Sequence, residues 1–336
     1  MLNILCRLLI CMLFATAASN VQAMRITPIW TCVNPSKPFQ IINRLRNPIV
    51  WQNFGTWLMI TEDQTAGRVC YFYEYTTRSK SNLKTAQFGS WIPLGSAIKW
   101  LMYVDYYDGL NRLMAHDVDW HADHVALSST QSQIGCGFEG TDCYYGQYRA
   151  DRVGDHYPVD IYRISMKNGS YEPVCVSDSE KSDFAHDGNL MVYMAHYGPN
   201  DNRICGKYFR GGNEFVIACA NAINPTVCGN LVAWAEISGG GYKIVGKNLD
   251  TGERRTIAYT KANPPCPEAG RGAIFWVDTR NLKKTGLDIY GYDWGAKNEF
   301  AVTTATGNQV RLRVCDNLVT YVSGNVGYEI LWGVTF

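Results

Sequence analysis

The strongest constraint on the fold is a motif that recurs seven times along the chain. Each copy is a short apolar run, and the aligned residues are Ile60, Tyr103, Tyr145, Tyr193, Trp234, Trp276 and Tyr321. Their separations are 43, 42, 48, 41, 42 and 45 residues. A repeat of this period indicates an architecture of stacked units, none of which can bury its apolar face alone.

Each copy also predicts four short strands. After the apolar run comes a stretch rich in Gly, Asn and Asp, and then a second alternating run such as Asp288–Tyr292. A polar turn leads to a third run such as Glu253–Ile257, and a fourth short strand precedes each copy. Four strands per repeat without helical periodicity are typical of a propeller blade. The sequence therefore predicts an all-β fold, a seven-bladed β-propeller with four-stranded blades.

The two ends of the chain predict how the ring closes. The last copy stops at Phe336 and lacks an outer strand. The segment Phe39–Ile42 has the pattern of that missing strand, and Pro48–Trp51 has the pattern of the first inner strand. An N-terminal strand that completes the last blade would remove two open sheet edges.

The first residues resemble an export signal. Arg7 lies in a short apolar run from Ile4 to Ala18, and Val21-Gln22-Ala23 offers small residues to a signal peptidase. The run is too short and interrupted to cross a bilayer, although a membrane anchor is the alternative. We therefore expect a signal peptide at residues 1–23, a single propeller domain at 24–336, a secreted or periplasmic location, and no membrane span.

The cysteine content fits an exported chain. Ten of the 12 cysteines follow Ala23, and an even set outside the cytoplasm favours disulfides. Cys136 and Cys143 flank one predicted turn, and Cys205 and Cys219 flank another, so we expect the disulfides Cys136–Cys143 and Cys205–Cys219. The pairing of the other six stays open, and buried free thiols are the alternative. A zinc site is disfavoured because no CxxC pair occurs.

Charge and aromatic content limit the partners. The net charge is +1 without a long run of one sign, which gives no electrostatic footprint for nucleic acid. The chain has 21 Tyr and 10 Trp, enough for a large aromatic core and for a surface that stacks on sugars.

The sixth copy carries a family resemblance. The run Trp276–Asn281, followed by Asp288–Asp293, resembles the repeat of TolB-like β-propellers. The resemblance implies the propeller fold and leaves the activity open. Such propellers serve as binding platforms and also as lyases of uronate polymers.

A first group of candidate residues points to catalysis. All six histidines lie between His116 and His196, in the second to fourth copies. The expected catalytic residues are His186, His196, Tyr197, Arg149 and Arg203. A His or Tyr base and an Arg that neutralises a carboxylate are what β-elimination from a uronic acid requires. Lyases with this fold use such residues, but no motif carries over residue by residue. Polar contacts between blades are the alternative.

A second group is expected to bind ligand on the same loop face. It comprises Tyr106, Tyr107, His156, Tyr242 and Arg280. Aromatic rings at a loop face stack on sugars, although single exposed tyrosines are common.

A third group could hold a metal ion. His116, His121 and His124 lie in a segment that is dense in imidazoles and carboxylates. Such groups can bind zinc or another divalent ion such as calcium. A solvated outer turn is the alternative, and neither function considered below requires a cofactor.

The sequence thus predicts an exported propeller that binds a carbohydrate or protein ligand on the loop face of blades two to four. The alternative is a polysaccharide lyase that cleaves a uronate-containing polymer, and a third possibility is a structural surface protein. The expected partners are a polysaccharide or an extracellular protein, and no nucleic acid.

Overall fold

A computed structural model describes most of the chain after its first 34 residues. The described residues are 35–54, 57–64, 67–86, 91–96, 100–107, 110–117, 122–139, 141–154, 156–198, 201–219, 221–263, 265–315, 317–325 and 328–336. They belong to one compact unit, Thr31–Phe336. The predicted signal peptide lies outside the described residues. Within them, no helix is long and apolar enough to cross a membrane.

The strands are grouped in seven antiparallel sheets of four, which we call blades 1 to 7. Blades 1 to 3 contain β2 (Ile49–Phe54), β3 (Trp57–Gln64), β4 (Gly67–Glu74) and β5 (Ser79–Ala86); β6 (Trp91–Ser96), β7 (Trp100–Tyr107), β8 (Leu110–Asp117) and β9 (Ala122–Ser129); and β10 (Gln133–Glu139), β11 (Asp142–Tyr148), β12 (Val159–Ser165) and β13 (Tyr171–Cys175). Blades 4 and 5 contain β14 (Glu180–Asp187), β15 (Leu190–His196), β16 (Asn202–Tyr208) and β17 (Phe215–Ala218); and β18 (Ala222–Cys228), β19 (Leu231–Ser238), β20 (Gly241–Asn248) and β21 (Arg254–Thr260). Blades 6 and 7 contain β22 (Glu268–Gly270), β23 (Ala273–Asp278), β24 (Asp288–Asp293) and β25 (Asn298–Thr303); and β26 (Gln309–Cys315), β27 (Leu318–Ser323), β28 (Glu329–Thr335) and β1 (Phe39–Leu45).

The blades form a closed ring. The inner strand of each blade contacts the inner strand of the next, and β26 contacts β2. The first strand of the chain, β1, completes blade 7 by pairing antiparallel with β28, with Phe39 opposite Gly333. Ser36 N also donates to the Thr335 carbonyl at 2.9 Å. The predicted fold class, seven four-stranded blades closed by an N-terminal strand, is confirmed.

The repeated apolar residues form the centre of the core. All seven lie in the second strand of a blade: Ile60, Tyr103, Tyr145, Tyr193, Trp234, Trp276 and Tyr321. None exposes more than 2% of its surface. Six of them pack in clusters that join neighbouring strands, such as the one uniting Tyr144, Ile161, Met191 and Tyr193 across blades 3 and 4. This burial of two sheet faces against each other is the main stabilising term of the fold.

Glycines recur in the third strand of blades 4 to 7. They are Gly206, Gly246, Gly291 and Gly333. A Cβ at any of these positions would lie within 3.0 Å of a side chain, usually a ring of the outer strand. The outer strand can therefore pack its rings directly against the backbone.

The strand register does not place the cysteines of either predicted disulfide opposite each other. Cys136 is opposite Tyr145 and Cys143 is opposite Phe138, because the turn places Glu139 opposite Asp142. In blade 4, the register that pairs Gly206 with Phe215 likewise places Cys205 opposite Val216. Cys205 is buried, Cys219 lies exposed beyond the end of β17, and both are free thiols. The expected Cys205–Cys219 bridge is therefore absent from the structure.

Candidate functional site

One face of the propeller carries most of the predicted site residues. Neighbouring strands of a blade run antiparallel, so the connections from second to third strand share a face with the connections between blades. We call this the loop face. In blade 3 it includes the long connection between Tyr148 and Val159, and in blade 4 the connection between His196 and Asn202.

His156 and His196 meet on the loop face where blades 3 and 4 adjoin. Their ring centroids are 5.7 Å apart in an edge-to-face arrangement. His156 is buried, and its Nε2 lies 2.8 Å from the carbonyl oxygen of Asp178. Since a carbonyl only accepts, Nε2 of His156 carries the proton. The structure thus brings together two histidines that are 40 residues apart.

His196 is held by its neighbour across the ladder. Its Nδ1 lies 2.7 Å from Oδ1 of Asn202, and His196 is half-buried. Because the amide oxygen accepts, Nδ1 is the donor and neutral His196 keeps its lone pair on Nε2. This tautomer is the one that can accept a proton at Nε2.

Tyr197 and Arg203 form the adjoining part of the site. The guanidinium carbon of Arg203 lies 4.5 Å from the centroid of the Tyr197 ring. The same guanidinium is bidentate on Asp201, at 2.8 Å from Oδ1 and 2.5 Å from Oδ2. This contact lowers the pKa of Asp201, and the charge of the neighbouring His196 lowers it further. Arg203 therefore supports the ring and already has a carboxylate partner.

Arg149 closes the blade 3 side of the site. Its Nη2 lies 2.8 Å from Asp178 and 3.2 Å from Asp151, two largely exposed carboxylates. We call His156, His196, Tyr197, Arg149 and Arg203 the blade 3–4 cluster.

A buried polar network lies beside the cluster and was not predicted from the sequence. Glu214 accepts hydrogen bonds from the Tyr193 hydroxyl, from the Cys175 thiol at 3.1 Å, and from the Tyr197 hydroxyl at 3.1 Å. Burial would raise the pKa of Glu214, but these bonds and the charge of Lys181 bring it below its usual value. Burial and the same carboxylate raise the pKa of Tyr197, which therefore stays protonated.

Lys181 belongs to this network and has no exposed surface. Its Nζ donates to the carbonyl oxygens of Val159 at 2.6 Å and Ser179 at 3.4 Å. Burial lowers the pKa of Lys181. The sequence signal was the polar inner strand EKSDFAHD, which has four charged residues, whereas the inner strand of blade 1, IVWQNF, has none.

His186 does not belong to the cluster, contrary to its predicted role. It is opposite Met191 near one end of the β14–β15 ladder, whereas His196 is opposite Glu180 at the other end. Five residues of strand place these ends about 17 Å apart. Burial lowers the pKa of His186.

The remaining predicted ligand-binding residues lie on other blades. The Tyr242 hydroxyl donates to Asn263 Oδ1 at 3.2 Å. Arg280 pairs with Asp278 at 2.8 Å and with Glu299, and its guanidinium carbon lies 3.9 Å from the centroid of the Tyr290 ring. Arg280 is thus tied within blade 6. Tyr106 and Tyr107 end β7, and their side chains lie outside the described part.

The predicted metal ligands do not converge. His116 is opposite Asp123 and His124 is opposite Ala115, so neighbouring positions of the ladder place the two imidazoles on opposite faces of the sheet. Accordingly His116 is buried and His124 exposed. His121 lies outside the described residues. Among the described residues, no three His, Cys, Asp or Glu side chains are grouped to hold a metal ion.

Apolar side chains are concentrated on the loop face. Seven of the 11 exposed large apolar residues in the described chain lie there: Tyr157, Val176, Tyr197, Ile237, Tyr259, Leu282 and Tyr328. Tyr157 is 50% exposed beside His156, and Tyr197 is 38% exposed beside His196. The blade 3–4 cluster therefore includes one accessible ring, Tyr197, and a second, Tyr157, follows its member His156 in the chain.

The comparisons with known proteins match the fold. An oligogalacturonate lyase in complex with manganese is 12% identical with a TM-score of 0.63, over 91% of this chain and 95% of that one. An oligogalacturonate lyase from Vibrio parahaemolyticus is 13% identical with a TM-score of 0.60, over 89% and 93%. TolB from Acinetobacter baumannii is 12% identical with a TM-score of 0.51, over 84% and 65%. No family model and no curated protein sequence matches the chain.

These likenesses concern the fold, since the identities are low. They agree with the resemblance seen in the sixth repeat. The chain is a seven-bladed β-propeller, and its fold is similar to that of TolB.

Proposed function

We propose that the protein is an exported propeller that binds a carbohydrate on the loop face of blades 3 and 4. The observation that carries the proposal is that two exposed rings, Tyr157 and Tyr197, each directly follow in the chain one of the two histidines whose rings are in contact. Aromatic rings provide apolar faces for sugar rings, while imidazoles and guanidiniums hydrogen-bond to hydroxyl and carboxylate groups.

The local charge suits a ligand of mixed character. Both arginines of the cluster are already paired with aspartates. An acidic sugar would have to exchange places with these exposed carboxylates, which costs little because surface ion pairs are weak. Binding should therefore be tested with both neutral and uronate-containing oligosaccharides.

The binding experiment compares two tyrosines on the loop face with a third on the opposite face. Titration calorimetry with pectate, ulvan, alginate and cellulose oligosaccharides should detect binding that Tyr157→Ala and Tyr197→Ala weaken about tenfold or more. Tyr171→Ala is the matched control, since Tyr171 is an exposed ring on the same blade at the β12–β13 hairpin, on the opposite face. Binding of an extracellular protein without binding of any sugar would contradict the proposal.

A lyase is the second candidate, favoured by the fixed tautomer of His196. The lyase neighbours act on oligogalacturonate, as their names state. In such a reaction a base removes the proton at C5 of the uronate, the C4–O bond breaks, and a C4–C5 double bond forms. We assign the base to Nε2 of His196 and the neutralisation of the carboxylate to Arg203 or Arg149.

Tyr197 fits the acid of this reaction. Its hydroxyl stays protonated because burial and Glu214 raise its pKa, so it can give a proton to the departing oxygen. A neighbour of this fold was solved with manganese. The described residues here offer no grouped ligands for such an ion, and the steps above use side chains alone.

The lyase assay follows ultraviolet absorbance of the unsaturated uronate product on pectate, ulvan and alginate, with and without manganese or calcium. His196→Ala should abolish the rise, and Asn202→Ala should lower kcat because the tautomer is no longer fixed. Carbohydrate binding without any rise in absorbance would leave the binding function and remove the lyase.

A further inference from the structure

A row of polar side chains crosses blade 3 just below the blade 3–4 cluster. Gln133 is opposite Gln147, and Gln147 is opposite Asp160. Directly paired residues project from the same face of a sheet, with Cβ atoms about 4.5–5.5 Å apart. Arg149 follows two residues after Gln147 and its amide bonds the carbonyl of Pro158, so it continues the same row toward the loop face.

Four atoms of this row are buried without a described partner. They are Gln133 Oε1, Gln147 Oε1, Asp160 Oδ1 and Arg149 Nε. Gln133 and Asp160 are only 5% and 3% exposed. Gln133 uses its amide nitrogen on the Gln131 carbonyl at 2.7 Å, which fixes the orientation of its oxygen. Buried polar atoms are nearly always paired, so the row indicates a ligand that supplies the missing bonds.

The balance of these atoms identifies the chemistry of that ligand. Three acceptors and one donor are open. A cation would satisfy the three oxygens and leave Arg149 Nε beside a positive charge. A hydroxyl group both donates and accepts, so one hydroxyl can donate to Asp160 Oδ1 and accept from Arg149 Nε, and a neighbouring hydroxyl can donate to a glutamine oxygen.

We infer that Gln133, Gln147 and Asp160, together with Arg149, form a subsite that binds adjacent hydroxyl groups of a sugar. The inference rests on the proposed carbohydrate-binding function and extends it from the loop face into blade 3. Arg149 lies between the row and the loop face, and its guanidinium pairs with the exposed Asp151 and Asp178, so a sugar would have to displace this side chain to reach the row.

The test measures sugar affinity and thermal stability in the same variants. The tightest-binding oligosaccharide from the pectate, ulvan, alginate and cellulose panel is titrated into the wild type, Gln147→Leu and Asp160→Asn. Loss of a buried hydrogen bond to the ligand should weaken binding about ten- to a hundredfold. Relative to the wild type, Asp160→Asn should lose less affinity for an O-methylated sugar than for the same sugar with its free hydroxyl group.

Asp288→Asn is the matched control. Asp288 begins the third strand of blade 6, is fully buried, and also has an oxygen without a described partner. Its substitution should leave sugar affinity unchanged, whatever its effect on melting temperature. This variant separates a lost ligand contact from a general loss of stability.

Three results would overturn the inference. Equal sugar affinity in wild type, Gln147→Leu and Asp160→Asn removes the subsite and leaves the loop-face function intact. Failure of the wild type to bind any sugar of the panel removes the proposed function and the subsite with it. A calcium-dependent rise in melting temperature that Asp160→Asn abolishes would assign the row to a cation.

Discussion

The ammonium group of Lys181 lies 2.6 Å from the carbonyl oxygen of Val159 and ties the inner strand of blade 4 to the third strand of blade 3. Removing the amine leaves that carbonyl without its donor. We expect Lys181→Met to lower the free energy of unfolding by about 1–3 kcal/mol, measured by urea denaturation. Lys243→Met, at an exposed position of β20, should change it by less than about 0.5 kcal/mol. Equal or greater stability of Lys181→Met would show that burial of the charge costs more than its contacts contribute.

Glu214 predicts an acid-sensitive stability. Its folded-state pKa lies below the unfolded value, so its ionised form stabilises the fold above the unfolded pKa. That contribution is lost as the pH falls through the folded pKa, when the carboxylate must be protonated. Urea midpoints at pH 7 and pH 3 should therefore differ less in Glu214→Gln than in wild type. Glu172→Gln, at an exposed carboxylate, should keep the wild-type difference.

The closing strand predicts a stability effect far from the site. Leu45 is 3% exposed and packs with Leu331 and Val50 where blades 7 and 1 meet. Leu45→Ala should lower the free energy of unfolding by about 2–5 kcal/mol because it leaves a cavity. Gln40→Ala, at an exposed position of the same strand, should have little effect. Similar effects of the two variants in thermal denaturation would show that β1 does not seal the ring.

Gly291 predicts a steric penalty that a second change relieves. An added Cβ would lie 2.6 Å from Phe300 Cε2 and 2.9 Å from Phe275 Cε1. Gly291→Ala should therefore cost about 1–3 kcal/mol of unfolding free energy. Phe300→Leu in the same chain should recover part of that loss. Additive effects of the two substitutions would contradict direct contact between them.

The two thiols that were expected to pair predict different reactivity. Cys219 is exposed, whereas burial raises the pKa of Cys205 to about 12. A maleimide at neutral pH should modify Cys219 in the folded protein and Cys205 only after unfolding, as read by peptide mass. A protein mass lower by two hydrogen atoms, with neither thiol reactive until reduction, would instead show that the predicted bridge forms.

The fold was predictable because the residues that recur in the repeat are the ones buried between the blades. Residues such as Trp234 and Trp276 recur at the spacing of a blade because each fills the space between two sheets. The closing strand was also predictable, since Phe39–Ile42 has the pattern of the outer strand that the last copy lacks, and β1 pairs with β28. The third-strand glycines, from Gly206 to Gly333, carry the same period and would have supported the alignment.

The site was predictable only in part, because it depends on register. His156 and His196 fall in loops that the repeat places side by side. His186 lies at the far end of its strand, a position that a shift in the β14 ladder between Ser182 and Ala185 helps to set. The turn between β16 and β17 sets a register that pairs Cys205 with Val216, away from its expected partner Cys219. Such one-residue shifts leave no mark in a hydrophobic pattern.

The bond between Ser36 and Thr335 joins residues 299 positions apart. Closure of the ring therefore requires β28, which is synthesised long after β1. Until the two strands pair, each has a free edge that another polypeptide can bind. Crowding of newly synthesised chains should accordingly favour exchange of β1 between molecules. This domain swapping should stop once each chain has paired its own β1 with its own β28.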